Sequence, residues 1–161
     1  MSASSNVTIC LNMIVKNESR IIERLMESVL SIIDTYVICD TGSTDGTPEI
    51  IRSFFNSRGI SGEVIYEPFK NFGYNRTYAL KSARGKATYA LLLDADMIFQ
   101  PNPAWTREDI YSRLKDDVYY LFQGSETFFY KNVRIVKNRM GMKYWGVTHE
   151  YVQTPEGSKY G

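Results

Sequence analysis

Histidine and cysteine are scarce in this chain, with one of the former and two of the latter in 161 residues. Cys10 and Cys39 each sit inside an apolar, strand-like run, and no histidine or third cysteine is spaced to join them at a metal. They read as inert buried thiols of a reducing compartment. An excess of one charge is also missing. A net charge of +1 with scattered basic residues leaves no footprint for nucleic acid or for an anionic membrane surface. The start, Met1 to Asn6, has neither the positive region nor the apolar core of a secretory leader. No apolar run approaches membrane-spanning length, so a soluble, cytoplasmic or otherwise intracellular domain is expected. Repeats and low-complexity segments are absent, and the length suits one domain.

The chain does carry a regular alternation of strand-like and helix-like segments. Val7 to Val15 reads as a first strand, and Ser19 to Ile33 as a helix with Ile21, Ile22, Leu25, Met26, Val29 and Leu30 on one face. Tyr36 to Cys39 is a second strand, followed by the small-residue loop Asp40 to Thr47. Thr47 is suited to cap the next helix and Pro48 to open it. Glu63 to Tyr66, the helix Phe72 to Ala83 and the strand Thr88 to Leu93 complete a β-α-β-α-β-α-β order. Such an order predicts an α/β fold, a Rossmann-like three-layer α/β/α arrangement around a mainly parallel sheet. After Asp96 a short helix is expected over Thr106 to Leu114, then strands at about 117–123, 127–137 and 143–152, a smaller antiparallel part. The tail shows no closing element, so this chain is expected to be the N-terminal portion of a longer protein.

The strongest chemical signal is the run Tyr89-Ala-Leu-Leu-Leu-Asp94-Ala95-Asp96. Its apolar stretch suits a strand buried on both faces. Two carboxylates at its end would repel without a counter-charge, and a divalent cation held with phosphate oxygens supplies one. Ligands of open α/β sheets sit at that carboxyl edge. Asp96 is the candidate metal ligand, whereas Asp94, nearer the strand, could bond a ribose. The alternative is a pair of surface acids capping a turn. His149, in Trp145-Gly-Val-Thr-His-Glu-Tyr-Val152, either completes the metal shell or is structural, and imidazole suits Mn²⁺ better than Mg²⁺. Asp40, at the end of the second strand, can accept from a ribose hydroxyl or a base imide, or simply start a turn. Arg76 falls within the apolar stripe of its helix, where it must snorkel, meet a diphosphate or pair with an acid such as Asp40 or Asp94. The loop Asp40 to Thr47 is neither a calcium loop, a Walker phosphate loop nor G-x-G-x-x-G.

In order and spacing, these motifs resemble glycosyltransferase family 2, with the GT-A fold. The matching features are Asn17-Glu18 after the first strand, the Asp-x-Gly-Ser-x-Asp-Gly-Thr loop Asp40 to Thr47, Arg76 followed by Ala79-Leu80, Asp94-Ala95-Asp96, and the later His149-Glu150. The likeness is good over about 7–96 and looser over 97–152. It implies one GT-A catalytic domain over 1–161, with a nucleotide-binding half over about 1–96 and an acceptor-side, metal-completing part over 97–161. It also implies a nucleotide-diphosphate sugar donor, an acceptor of unknown kind (glycan, protein or small molecule) and a divalent ion, Mn²⁺ or Mg²⁺. Val15 and Glu18 would line the base and ribose pocket, Asp40 would face the base, and Arg76 would approach base or phosphates. Asp94 and Ala95 would belong to the same donor site, with Asp96 and His149 on the metal. The Thr and Tyr usual in the first loop are Val15 and Lys16 here, so backbone contacts are expected there.

The reaction this implies is inverting transfer of a sugar from a donor, UDP-sugar favoured because an Asp40 carboxylate would select a base with an imide N–H. Glu150 is the candidate base, although strand alternation points it away from His149. The competing readings are a nucleotidylyltransferase, against which the first loop Lys16-Asn-Glu-Ser19 argues, and a non-catalytic nucleotide-sugar-binding domain.

Overall fold

A computed structural model describes residues 6–124, 127–139, 142–145, 151–154 and 156–161. The first strand, β1, is Ile9–Val15, followed by helix α1 (Ile22–Val29) and strand β2 (Thr35–Asp40). Helix α2 (Thr47–Ser57), strand β3 (Gly62–Tyr66), helix α3 (Phe72–Ser82) and strand β4 (Tyr89–Leu92) continue the alternation. Helix α4 (Arg107–Arg113) then leads to strands β5 (Val118–Gly124) and β6 (Phe129–Lys137). A short antiparallel pair, β7 (Lys143–Trp145) and β8 (Tyr151–Gln153), follows.

Six strands form one sheet in the order β3-β2-β1-β4-β6-β5. The pairs β1–β2, β1–β4 and β2–β3 are parallel, while β6 runs antiparallel to both β4 and β5. This is the expected mainly parallel sheet with an antiparallel end. Helices cover both faces. Ile9, Leu11 and Met13 of β1 point towards Leu25 and Met26 of α1 and Ile51 and Phe55 of α2, in the larger core cluster. On the other face Leu80 of α3 and Ala83, the residue that ends that helix, pack over Ala90, Leu92 and Cys10. Burying such Leu and Ile side chains contributes roughly 1.5–3 kcal/mol each. Asn12 is the polar residue of that second face, and its Nδ2 donates to the carbonyls of Val37 at 3.0 Å and Ala79 at 2.9 Å. That bond pair ties α3 to the sheet without leaving a buried amide unpaired.

Three expectations change. The first helix begins at Ile22, because the Glu18 carbonyl takes the amides of Ile21 and Ile22 at 3.1 and 3.0 Å and residues 19–21 form a turn. Thr47 is the first helical residue and not the cap. Gly46 holds the cap position at φ 86°, a left-handed conformation open to glycine, and the Thr47 hydroxyl turns back to Asp45 at 2.5 Å. The single strand expected at about 143–152 is two strands, β7 and β8. Cys10 and Cys39 are free and buried, and burial pushes their thiols up to about 12 and about 11. At neutral pH both stay protonated and unreactive.

Candidate functional site

Two loops leave the carboxyl edge of the sheet side by side, one after β1 and one after β2, and they are laced together. Asn17 takes a left-handed conformation at φ 54°, which Asn tolerates better than most residues. Its Oδ1 accepts from the Thr44 amide at 2.8 Å, and its own amide donates to Ser43 Oγ at 2.9 Å. The Glu18 amide donates to Thr47 Oγ1 at 3.0 Å, and the Ser19 amide to Asp45 Oδ2 at 3.1 Å. Asp45 thus gathers the Thr47 hydroxyl and the amides of Thr47 and Ser19, and these bonds, the Thr47 hydroxyl first, hold its carboxyl far below the usual range. In Asp40, one carboxylate oxygen accepts from the amides of Gly42 and Ser43 at 3.2 and 3.1 Å, so this residue does start the turn. Its other oxygen, Oδ1, is buried and has no hydrogen-bond partner among the described residues.

Beside these loops lies an open cleft of about 490 Å³ along the carboxyl ends of β1, β2 and β4. Val15, Glu18, Arg76, Asp94, Ala95 and Asp96 all line it. Ile14, Lys16, Thr41, Phe69 and Phe72 line it as well. Arg76 reaches across from α3 and donates to Asp94 Oδ1 at 2.5 Å, so the acid at the strand end does receive a counter-charge from the protein. Ala95 is buried in the larger core cluster, and the Met97 amide closes a turn on the Asp94 carbonyl at 3.0 Å. The buried alanine anchors the turn and leaves Asp96 exposed. Among the described residues the Asp96 carboxylate makes no hydrogen bond or ion pair, and only its backbone carbonyl is touched, by Arg24 at 3.4 Å. The Glu18 carboxyl is raised by desolvation first and then by the charges of Asp96, Asp45 and Asp94.

Six of the nine residues singled out from the sequence therefore share one cleft. Asp40 sits behind its wall and is not among the lining residues. His149 and Glu150 lie outside the described residues. Lys16, Phe69 and Phe72 also line the cleft and carry no motif that marks them as site residues. Their signal, a cation and two aromatics in segments flanking strand ends, has no spacing of its own and emerges only when the loops are brought together. Among the described residues no three acids, cysteines or histidines cluster tightly enough to hold an ion by themselves. The set does fit an ion that takes one or two protein carboxylates and fills its shell with phosphate oxygens and water. Asp96 offers an unengaged hard oxygen donor, and Asp94 has one oxygen outside its pair with Arg76.

Residues 10–155 match glycosyl transferase family 2. The chain belongs to that family. Over 97 residues it is 33% identical to the SPbeta prophage-derived glycosyltransferase SunS of Bacillus subtilis, covering 60% of this chain and 22% of that protein. It is 25% identical over 159 residues to a TPR repeat-containing protein of Synechococcus elongatus, covering 94% of this chain and 36% of that protein. Among solved structures, S. aureus TarS 1-349 in complex with UDP superposes with a TM-score of 0.59 at 18% identity, over 75% of this chain and 37% of that one. The mannosyltransferase PcManGT from Pyrobaculum calidifontis, in complex with GDP-Man and Mn²⁺, gives 0.55 at 18% identity, over 70% of this chain and 34% of that one. These likenesses establish the GT-A fold for the family member described here. The chain spans little more than a third of these relatives at most, 22–37% of their lengths.

Proposed function

We propose that this chain is the donor-binding part of a glycosyltransferase that moves a sugar, with inversion, from a nucleotide-diphosphate sugar to an acceptor, and that residues 1–161 act as one GT-A catalytic domain. About 1–96 would be its nucleotide-binding half. The observation that carries this reading is the convergence of Val15, Glu18, Arg76, Asp94 and Asp96 on one cleft at the carboxyl edge of the sheet. Family membership supports it, as do the UDP and GDP-Man in the TarS and PcManGT structures.

In this reading Asp94 and Ala95 position the donor, and Val15 and Glu18 border its base and ribose. Asp40, whose unpartnered Oδ1 is buried behind the cleft wall, is the candidate reader of the base, and UDP is the favoured carrier. Asp96, with His149 as its candidate companion, would hold Mn²⁺ or Mg²⁺. A bound ion of that kind supplies a Lewis acid that neutralises charge on the departing diphosphate. Arg76 contributes a fixed positive charge to the same end of the cleft, already oriented by Asp94, so no reorganisation is needed as charge develops. The acceptor's proton goes to a carboxylate, for which Glu150 is the candidate.

A thermal-shift comparison of UDP and CDP, each with and without Mn²⁺, tests the reading. UDP with Mn²⁺ should raise Tm clearly and CDP much less. Equal shifts would remove Asp40 as the base reader. Asp96→Ala should abolish the Mn²⁺-dependent part of the UDP shift, and full retention of that part would remove Asp96 as the ligand.

A further inference from the structure

One wall of the cleft is aromatic. Phe69, in the loop after β3, and Phe72, the first residue of α3, both line it, and each stays 45% exposed. Their rings meet edge to face with centroids 5.1 Å apart and planes at 69°. The Arg76 guanidinium lies one turn further along α3, 5.9 Å from the Phe72 centroid, and links this wall to Asp94.

Arg76 stands between this wall and the acids. The loop carrying Phe69 follows β3, and the turn Asp94–Asp96 follows β4. The aromatic end is also held in place. Asn75 is fully buried, accepts from the Lys70 amide at 2.8 Å and donates to the carbonyls of Glu67 and Pro68 at 3.3 and 3.1 Å. Asn71 caps the helix through the Tyr74 amide at 2.8 Å. Two exposed rings are thus fixed on one wall of a cleft that also holds Arg76, Asp94 and Asp96, a layout suited to a ligand that is planar and apolar at one end and anionic at the other.

Resting on the donor-site reading above, we propose that Phe69 and Phe72 form the platform on which the donor's nucleobase stacks, with the diphosphate directed along the rim towards Arg76, Asp94 and Asp96. Every base has a π-face, so the platform supplies affinity and orientation without choosing among bases. The choice of base then falls to polar groups at the ends of β1 and β2.

The test is calorimetric titration of the whole chain with UDP, GDP and inorganic pyrophosphate, each with Mn²⁺. The double variant Phe69→Ala with Phe72→Ala should bind UDP and GDP about ten- to a hundredfold more weakly and bind pyrophosphate as the wild type does. A second pair, Phe69→Leu with Phe72→Leu, keeps the apolar bulk and removes the π-faces, and should show most of the same loss. Nucleotide affinity unchanged in both pairs overturns the proposal, and so does a loss of pyrophosphate binding in equal proportion. If the wild type binds neither nucleotide, the donor-site reading itself fails and the platform with it.

Discussion

At the amino-end rim of the sheet, Asp34 accepts from the Ile9 amide at 2.8 Å, from the Tyr111 hydroxyl at 2.6 Å and from the Arg107 guanidinium. Beside it Thr8 and Thr88 exchange amide-to-hydroxyl bonds at 2.8 and 3.0 Å. At the carboxyl-end rim, Asp96 is exposed with no side-chain partner among the described residues, and Glu18 is desolvated among like charges. The same sheet thus carries a rim whose polar groups are satisfied within the protein and a rim that leaves the Asp96 carboxylate and Asp40 Oδ1 without a partner among the described residues. A satisfied carboxylate stabilises the fold, whereas an unsatisfied one weakens it slightly and is ready to bind. Tyr111 shows the contrast from the structural side, since burial and the Asp34 carboxylate push its hydroxyl well above the ordinary range and keep it a donor.

Substitutions at the two rims should therefore separate. Asp34→Ala leaves an amide, a hydroxyl and a guanidinium without their acceptor, and should cost about 2–4 kcal/mol in urea unfolding while UDP affinity of the folded protein is kept. A neutral effect would break the comparison at its structural end. Asp96→Ala should do the opposite, losing the Mn²⁺-dependent part of UDP binding while changing unfolding by less than about 0.5 kcal/mol. A large stability loss there would mean that Asp96 holds the fold. Asp45 sharpens the contrast, because it lies at the carboxyl rim yet is satisfied. Its hydrogen bonds, the Thr47 hydroxyl first, hold its carboxyl far below the usual carboxylate range, so its stabilisation is present above that range and fades as pH falls through the folded value. Acid unfolding should be steeper for the wild type than for Asp45→Ala, and matching profiles would show that the lacing of the two loops contributes nothing. The smallest effect is expected at Glu18. Its carboxyl is raised, so the charged form disfavours the fold and stability declines as pH rises through the folded value. Because that desolvation is only partial, Glu18→Gln should stabilise the metal-free protein at neutral pH by no more than a few tenths of a kcal/mol. A clear destabilisation would show that Glu18 is engaged.

Much of the fold is legible in the sequence. The runs in β1, β2 and β4 are apolar on both faces, so they announce a covered parallel sheet, and the turn-forming loop after β2 marks its ligand edge. Boundaries were less readable. Thr47 has the composition of a cap, but Asp45 and the Glu18 amide compete for its hydroxyl, and a contact 29 positions away leaves no local trace. For the site, Asp94 and Asp96 stood out because a strand end with two acids is locally odd. Arg76 stood out because a charge on an apolar stripe needs a reason, and of the partners open to it the fold supplies Asp94. Phe69 and Phe72 did not stand out, since exposed aromatics in an aromatic-rich chain look like core.

The amino-acid order alone determined which segments became strands and helices, that the sheet is mainly parallel, and where along the chain the acids and the arginine fall, because periodicity and side-chain chemistry are local properties. Only the tertiary structure decided which acids are engaged and which stay open, and that two phenylalanines face the same cleft. Those outcomes depend on distances between loops from β1, β2, β3 and β4, and such distances exist only once the sheet has set the strand order.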